Sequence, residues 1–232
     1  MRPRGSFLLT TMAAARCSLV LLLISCCNGA PLLADTLYQT NPQGKQVIVH
    51  RDAIVVKQDS SFIIYKHFEL KERRVVKVRL SRGAQNYTVK LSSPEERQQI
   101  VAKWKRFAFT GTLTDLAGKT IRLFAIYLDF YPPGGRGSLL ESVPPRTMFP
   151  VLIEGAGADE LDFSKIARIE FGGEVLTLTL TDGQVKQARF LMPTNQPAEA
   201  RFLGITDDYD PASEDVFNFS IALPQVKEVR FE

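Results

Sequence analysis

"LDFSKIARIEF", residues 161–171, lines up without a gap on "IALPQVKEVRF", residues 221–231. Leu161 matches Ile221, Phe163 matches Leu223, Ile166 matches Val226, Ile169 matches Val229 and Phe171 matches Phe231. Apolar side chains at shared positions write one local pattern twice: a strand, a tight turn, a strand. The word "TLTD" also occurs twice, at 112–115 and 179–182. These repeats predict two related β units, 109–172 and 173–232, each the size of a small barrel or curled sheet. The intervening stretches "PPGGRGSLLESVPPR" (132–146), "MPTNQPAEA" (192–200) and "TDDYDPASED" (206–215) read as loops, where a β scaffold usually carries function.

Upstream, residues 46–108 form a second module. "QVIVHRDAIVV", "SFIIYKHFEL", "VVKVRL" and "NYTVKL" are rich in Val, Ile, Phe and Tyr and predict strands. "SRGAQ", with Gly83, reads as a hairpin turn between the last two. "SSPEERQQIVAKWKRF" (92–107) predicts the one helix. Ser93 caps it, Pro94 suits its first position, and Glu96 completes a capping box. Ile100, Trp104 and Phe107 share a face, with Val101 beside them. That places the chain's only tryptophan in a core between helix and sheet. The fold expected is therefore mainly β: a strand-rich N-terminal module closed by one α-helix, then two small related β units.

Before that module, residues 26–45 are broken by Pro31, Pro42 and Gly44 and read as a tether. The leader carries Arg2, Arg4 and Arg16 ahead of an apolar run from Cys17 to Ile24, interrupted only by Ser18. That layout is a signal peptide over 1–25, too short to span a bilayer as a helix. Met12 opens a tidier version of it and is an alternative start. "LISC", Leu23 to Cys26, resembles the lipobox of bacterial lipoproteins. The resemblance implies cleavage before Cys26 and lipid attachment there, which would anchor the chain to the membrane. Ordinary cleavage near Gly29 or Ala30 would remove both Cys26 and Cys27 instead. The third cysteine is Cys17, so residues 28–232 hold none and cannot form a disulfide. A cysteine-free exported domain points to the bacterial cell envelope, on the extracytoplasmic side, rather than a disulfide-built secreted fold.

The charge is uneven. Residues 45–110 hold 15 Lys or Arg against 6 Asp or Glu, and residues 111–232 hold 11 against 18. This marks a module boundary near 107–111. A basic module could meet an anionic surface, or it could dock on the acidic half. No dense basic run with interleaved aromatics occurs, which argues against nucleic acid and favours docking between the halves or solvated strand faces.

Few residues carry recognisable chemistry. "AGKT" (117–120) lacks the glycine that a phosphate-binding loop needs, since Leu113 stands there. His50 and His67 are the only histidines, lack zinc-site spacing and read as strand-face residues. No G-x-S-x-G elbow occurs. Asn86 and Asn218 each open a glycosylation sequon within expected strands. The acidic run offers Asp207, Asp208, Asp210 and Glu214 as weak metal candidates, but without the EF-hand spacing. No cofactor and no catalytic residue is expected. The function expected is a non-enzymatic binding or scaffolding module for a macromolecular envelope partner. The alternatives are a carboxylate-based hydrolase of glycans or esters, using loops 129–141 and 207–215, and a calcium-dependent adhesion-type module.

Overall fold

The computed structural model describes residues 35–81, 83–134, 139 and 145–232. They build two sheets and one helix, so the chain is mainly β. The signal peptide, Cys26 and much of the loop 132–146 lie outside the described residues. No helix among those described is long and apolar enough to cross a membrane.

The first sheet holds β1 (Asp35–Thr40), β2 (Gln46–Gln58), β3 (Ile63–Glu69), β4 (Arg74–Leu80) and β5 (Tyr87–Lys90), in the order β4-β3-β2-β1-β5. Helix α1 (Pro94–Phe107) follows. Its capping box forms as the sequence predicts: Ser93 N donates to the Glu96 carboxylate at 2.6 Å and Glu96 N to Ser93 Oγ at 3.2 Å.

Two expectations fail here, for one reason. Residues 35–40 of the expected tether are strand β1, paired with β2 on one side and β5 on the other. The breakers Pro31, Pro42 and Gly44 flank that strand rather than interrupt it. Because β1 intervenes, β4 and β5 are not neighbours, and the connection through Gly83 is not a hairpin turn. What holds β1 is Asp35, fully buried. Its carboxylate accepts from Val55 N (2.6 Å), Ser92 N (2.6 Å), Ser92 Oγ (2.5 Å) and the Arg97 guanidinium (3.1 Å). One buried charge thus ties β1 to β2, to the turn before the helix and to the helix itself. Four donors on one carboxylate replace the water it has lost.

The second sheet contains ten strands: β6 (Thr110–Asp115), β7 (Thr120–Tyr131), β8 (Met148–Ile153), β9 (Gly157–Asp162), β10 (Ile166–Gly172), β11 (Val175–Leu180), β12 (Val185–Phe190), β13 (Glu199–Ile205), β14 (Phe219–Ala222) and β15 (Val226–Phe231). Their order is β14-β13-β7-β6-β15-β10-β11-β12-β8-β9. It reads as a palindrome of the two repeats. Reflected about its centre, β15 answers to β10, β6 to β11, β7 to β12, β13 to β8 and β14 to β9. Residues 109–172 and 173–232 are therefore related units, but they do not stand apart. Each lends its first two strands to one half of the sheet and its last three to the other.

The register fixes the axis. Ile169 pairs with Val229, its own repeat mate, flanked by Arg168 with Arg230 and Glu170 with Glu228. Like charges face each other across the strands, and Glu228 relieves it: Arg168 reaches it on the diagonal and Arg230 from two residues along its own strand. A 3-10 turn precedes each central strand, Phe163–Lys165 in one repeat and Leu223–Gln225 in the other. The "LDFSKIARIEF" match is thus structural throughout. The "TLTD" match is not. Leu113 opposes Val229 as Leu178 opposes Ile169, so Asp115 corresponds to Leu180 and the two words sit two residues out of step. Alternation alone produced that likeness.

The sheet curls so that its two wings share one core. Phe149 on β8 and Phe202 on β13 are repeat mates, both fully buried, with rings nearly parallel at 6.1 Å. A second core joins the two sheets, with Ile54, Val75, Ile100, Val101 and Trp104 against Phe124, Ala125, Ile205 and Tyr209. Trp104 is 2% exposed, as the helix pattern predicts. Phe107, expected on the same buried face, is 41% exposed. It ends the helix, and the chain turns inward only after it, at Ala108 and Phe109.

Asp35→Ala should destabilise the protein by about 3 kcal/mol, since it strands a partly buried guanidinium and buried backbone donors. Urea unfolding should show a lower midpoint at unchanged slope. A change below about 0.5 kcal/mol would mean that water replaces the carboxylate.

Candidate functional site

The chain's two histidines meet. His50 on β2 and His67 on β3 place their ring centres 4.6 Å apart, with Tyr65 at 5.2 Å from His50 and 5.8 Å from His67. Burial first, and then the charge of His67 beside it, hold His50 below the ordinary histidine value. His50 is thus neutral at pH 7. The pair lines a cleft of about 450 Å³ between the first sheet and α1. Phe68, Leu70, Trp104 and Phe107 give it apolar walls, and Arg51, Asp52 and Lys103 give it charge.

Two features mark this cleft. Asp52 has φ of 60°, a left-handed conformation unusual for a residue with a side chain, and its carboxylate pairs with Lys103 of the helix. Trp104, on the wall, is buried with its indole Nε1–H making no hydrogen bond among the described residues. A buried donor without an acceptor costs about 1–3 kcal/mol. The cleft can take an apolar group, with Arg51 and Lys103 placed to meet an anionic one. Among the described residues the cleft's lining holds no serine and a single carboxylate, Asp52, and no group of three or more His, Cys, Asp or Glu could hold a metal ion. Sequence reasoning put both histidines on strand faces. It missed their meeting, because the strand pairing that makes them neighbours is not written in their spacing.

The acidic loop between β13 and β14 does other work. Asp207 pairs with Lys105 of the helix at 2.7 Å. Asp208 accepts from Thr206 and Asn218, and Asp210 caps Ala212 N at 2.8 Å. Glu214 reaches Lys57 at 3.7 Å. The four carboxylates diverge to separate partners instead of converging on one point. Asn218, of the second sequon, spends its side chain inside this loop as well.

The loop's anchor is Lys66, fully buried on β3. Its ammonium donates to Tyr209 Oη (2.6 Å), Ser213 O (2.7 Å) and Asp215 O (3.2 Å). The acidic half thus grips the basic sheet through its backbone carbonyls. Burial pushes the Lys66 ammonium down to about 8, against the smaller pull of Asp210 and Asp215.

No family model, curated protein or solved structure matches the chain.

Lys66 gives a signed pH dependence. Its folded value lies below that of the unfolded chain, about 10.4, so between pH 8 and 9.5 the unfolded state binds more protons and stability rises with pH. Tyr127 and Tyr209, both raised mainly by burial, reverse the trend once unfolded tyrosines ionise near pH 10. Urea unfolding at pH 7.5, 8.5 and 9.5 should therefore show a rising midpoint in the wild type and a flat one in Lys66→Met. A falling wild-type midpoint across that window would contradict the assignment.

Proposed function

We propose that this chain is an exported, non-enzymatic binding module of the bacterial cell envelope, held to the membrane by lipid on Cys26, whose cleft at His50, His67 and Trp104 receives a macromolecular partner. The observation that carries the binding reading is the apolar cleft itself, walled by Phe68, Leu70, Trp104 and Phe107 with Arg51 and Lys103 beside it. Exposed Phe107 and Leu70 offer the partner apolar surface there. The anchor reading rests on "LISC" and on the absence of cysteine after Cys27.

A photo-reactive amino acid at position 107 should cross-link a partner in intact cells, and one at Val185, exposed on β12, should not. Leu70→Asp changes an exposed wall residue of the cleft, so stability should change by less than about 0.5 kcal/mol. Cross-linking from position 107 should nevertheless fall several-fold. Equal yields from 107 and 185, or an unchanged yield in Leu70→Asp, would overturn the reading.

The anchor is tested separately. A fatty-acid probe should label the wild type and leave Cys26→Ser unlabelled; equal labelling of both would remove the lipid from the proposal.

A further inference from the structure

The two halves of the ten-stranded sheet differ at one informative place. Ahead of β6 stands Phe109, 6% exposed, its ring edge-on to Phe163 at 5.6 Å. Phe163 in turn packs on Phe231 at 4.7 Å. Arg73 covers Phe109, with its guanidinium carbon 3.9 Å from the ring centre. The same guanidinium donates to the Phe107 and Ala108 carbonyls, so it holds both the ring and the extended segment that delivers it.

Across the axis, the residue in the same relation to β11 is Glu174, exposed in the turn with Gly173. Leu223 and Phe171 there take the places of Phe163 and Phe231. No ring fills the space. A pocket of about 620 Å³ stands open instead, walled by Leu116, Phe171, Leu176, Phe190, Leu223 and Val226. Its size and apolar lining fall in the range of ligand sites, roughly 300–1,000 Å³. Arg189 also lines it, exposed and in no ion pair among the described residues.

We propose that this pocket binds a phenylalanine side chain carried by an extended segment of a partner protein. The chain itself supplies the template for the occupant. The incoming ring lies against Leu223 and Phe171 as Phe109 lies against Phe163, and Arg189 stacks on its outer face as Arg73 does on Phe109. The remaining Arg189 donors meet the partner's backbone carbonyls. This site shares no lining residue with the histidine cleft, so either can fail without the other.

The probes are N-acetylphenylalanine methylamide and N-acetylleucine methylamide, each followed by saturation-transfer NMR on the full chain. The phenylalanine probe should receive several-fold more saturation than the leucine probe. Glu174→Phe supplies the missing ring from within. It should abolish the transfer and raise Tm by a few degrees, on the scale of about 2–4 °C per kcal/mol for a domain of this size. Arg189→Ala, on the surface, should cut the transfer several-fold at unchanged Tm. Equal transfer to both probes, transfer that survives Glu174→Phe, a fall in Tm for that variant, or full transfer in Arg189→Ala would each overturn the proposal.

Discussion

Everything in the larger sheet is referred to the pairing of Ile169 with Val229. These two residues occupy the same position in two copies of one motif, and they sit against each other across a local two-fold axis. Once that pair is set, period-two alternation leaves each flanking strand one face for the core. The charged face follows the same symmetry with its signs exchanged, Arg168 and Glu170 in one copy against Glu228 and Arg230 in the other. Burial raises the Glu228 carboxyl, and hydrogen bonds from Arg230 and Arg168 outweigh it, so the carboxyl ends below its ordinary value. Phe149 and Phe202, stacked from opposite wings, then meet in the core between them.

The first sheet is organised on another principle: single buried charges, each surrounded by donors or acceptors. Asp35 gathers four donors and Lys66 three acceptors. The two charges face different jobs. Asp35 binds its own module together, and Lys66 joins that module to the loop after β13. The uneven charge of the chain thus resolves, at least in part, into contact between its halves: Lys57, Lys66 and Lys105 each meet the acidic loop.

Local structure was legible in the sequence wherever one pattern sufficed. Ser93, Pro94 and Glu96 announce the helix start, Trp104 its buried face, and "LDFSKIARIEF" the motif shared with "IALPQVKEVRF". Partnership between distant segments was not legible. Nothing in "DTLYQT" says that it intervenes between β2 and β5, because its evidence is a carboxylate whose donors come from residues 55, 92 and 97. Nor does the repeat say whether its copies stand apart or exchange strands, since both arrangements bury the same alternating positions. The histidine cleft was hidden for the same reason. Strand neighbours depend on register, and register is a property of pairs.

The exchange of strands has a consequence in time. β15 lies beside the middle of the sheet, between β6 and β10, yet it follows the other nine strands of that sheet along the chain. Until Val226–Phe231 emerges, β6 and β10 have no common neighbour, and the central ladder that joins the two halves of the sheet cannot form. Neither copy can mature early and wait for the other. Assembly therefore depends on contacts between segments far apart along the chain, the kind that makes β proteins slow to fold. A nascent chain that has not yet released Val226–Phe231 holds the ten-stranded layer open, with unpaired edges on β6 and β10.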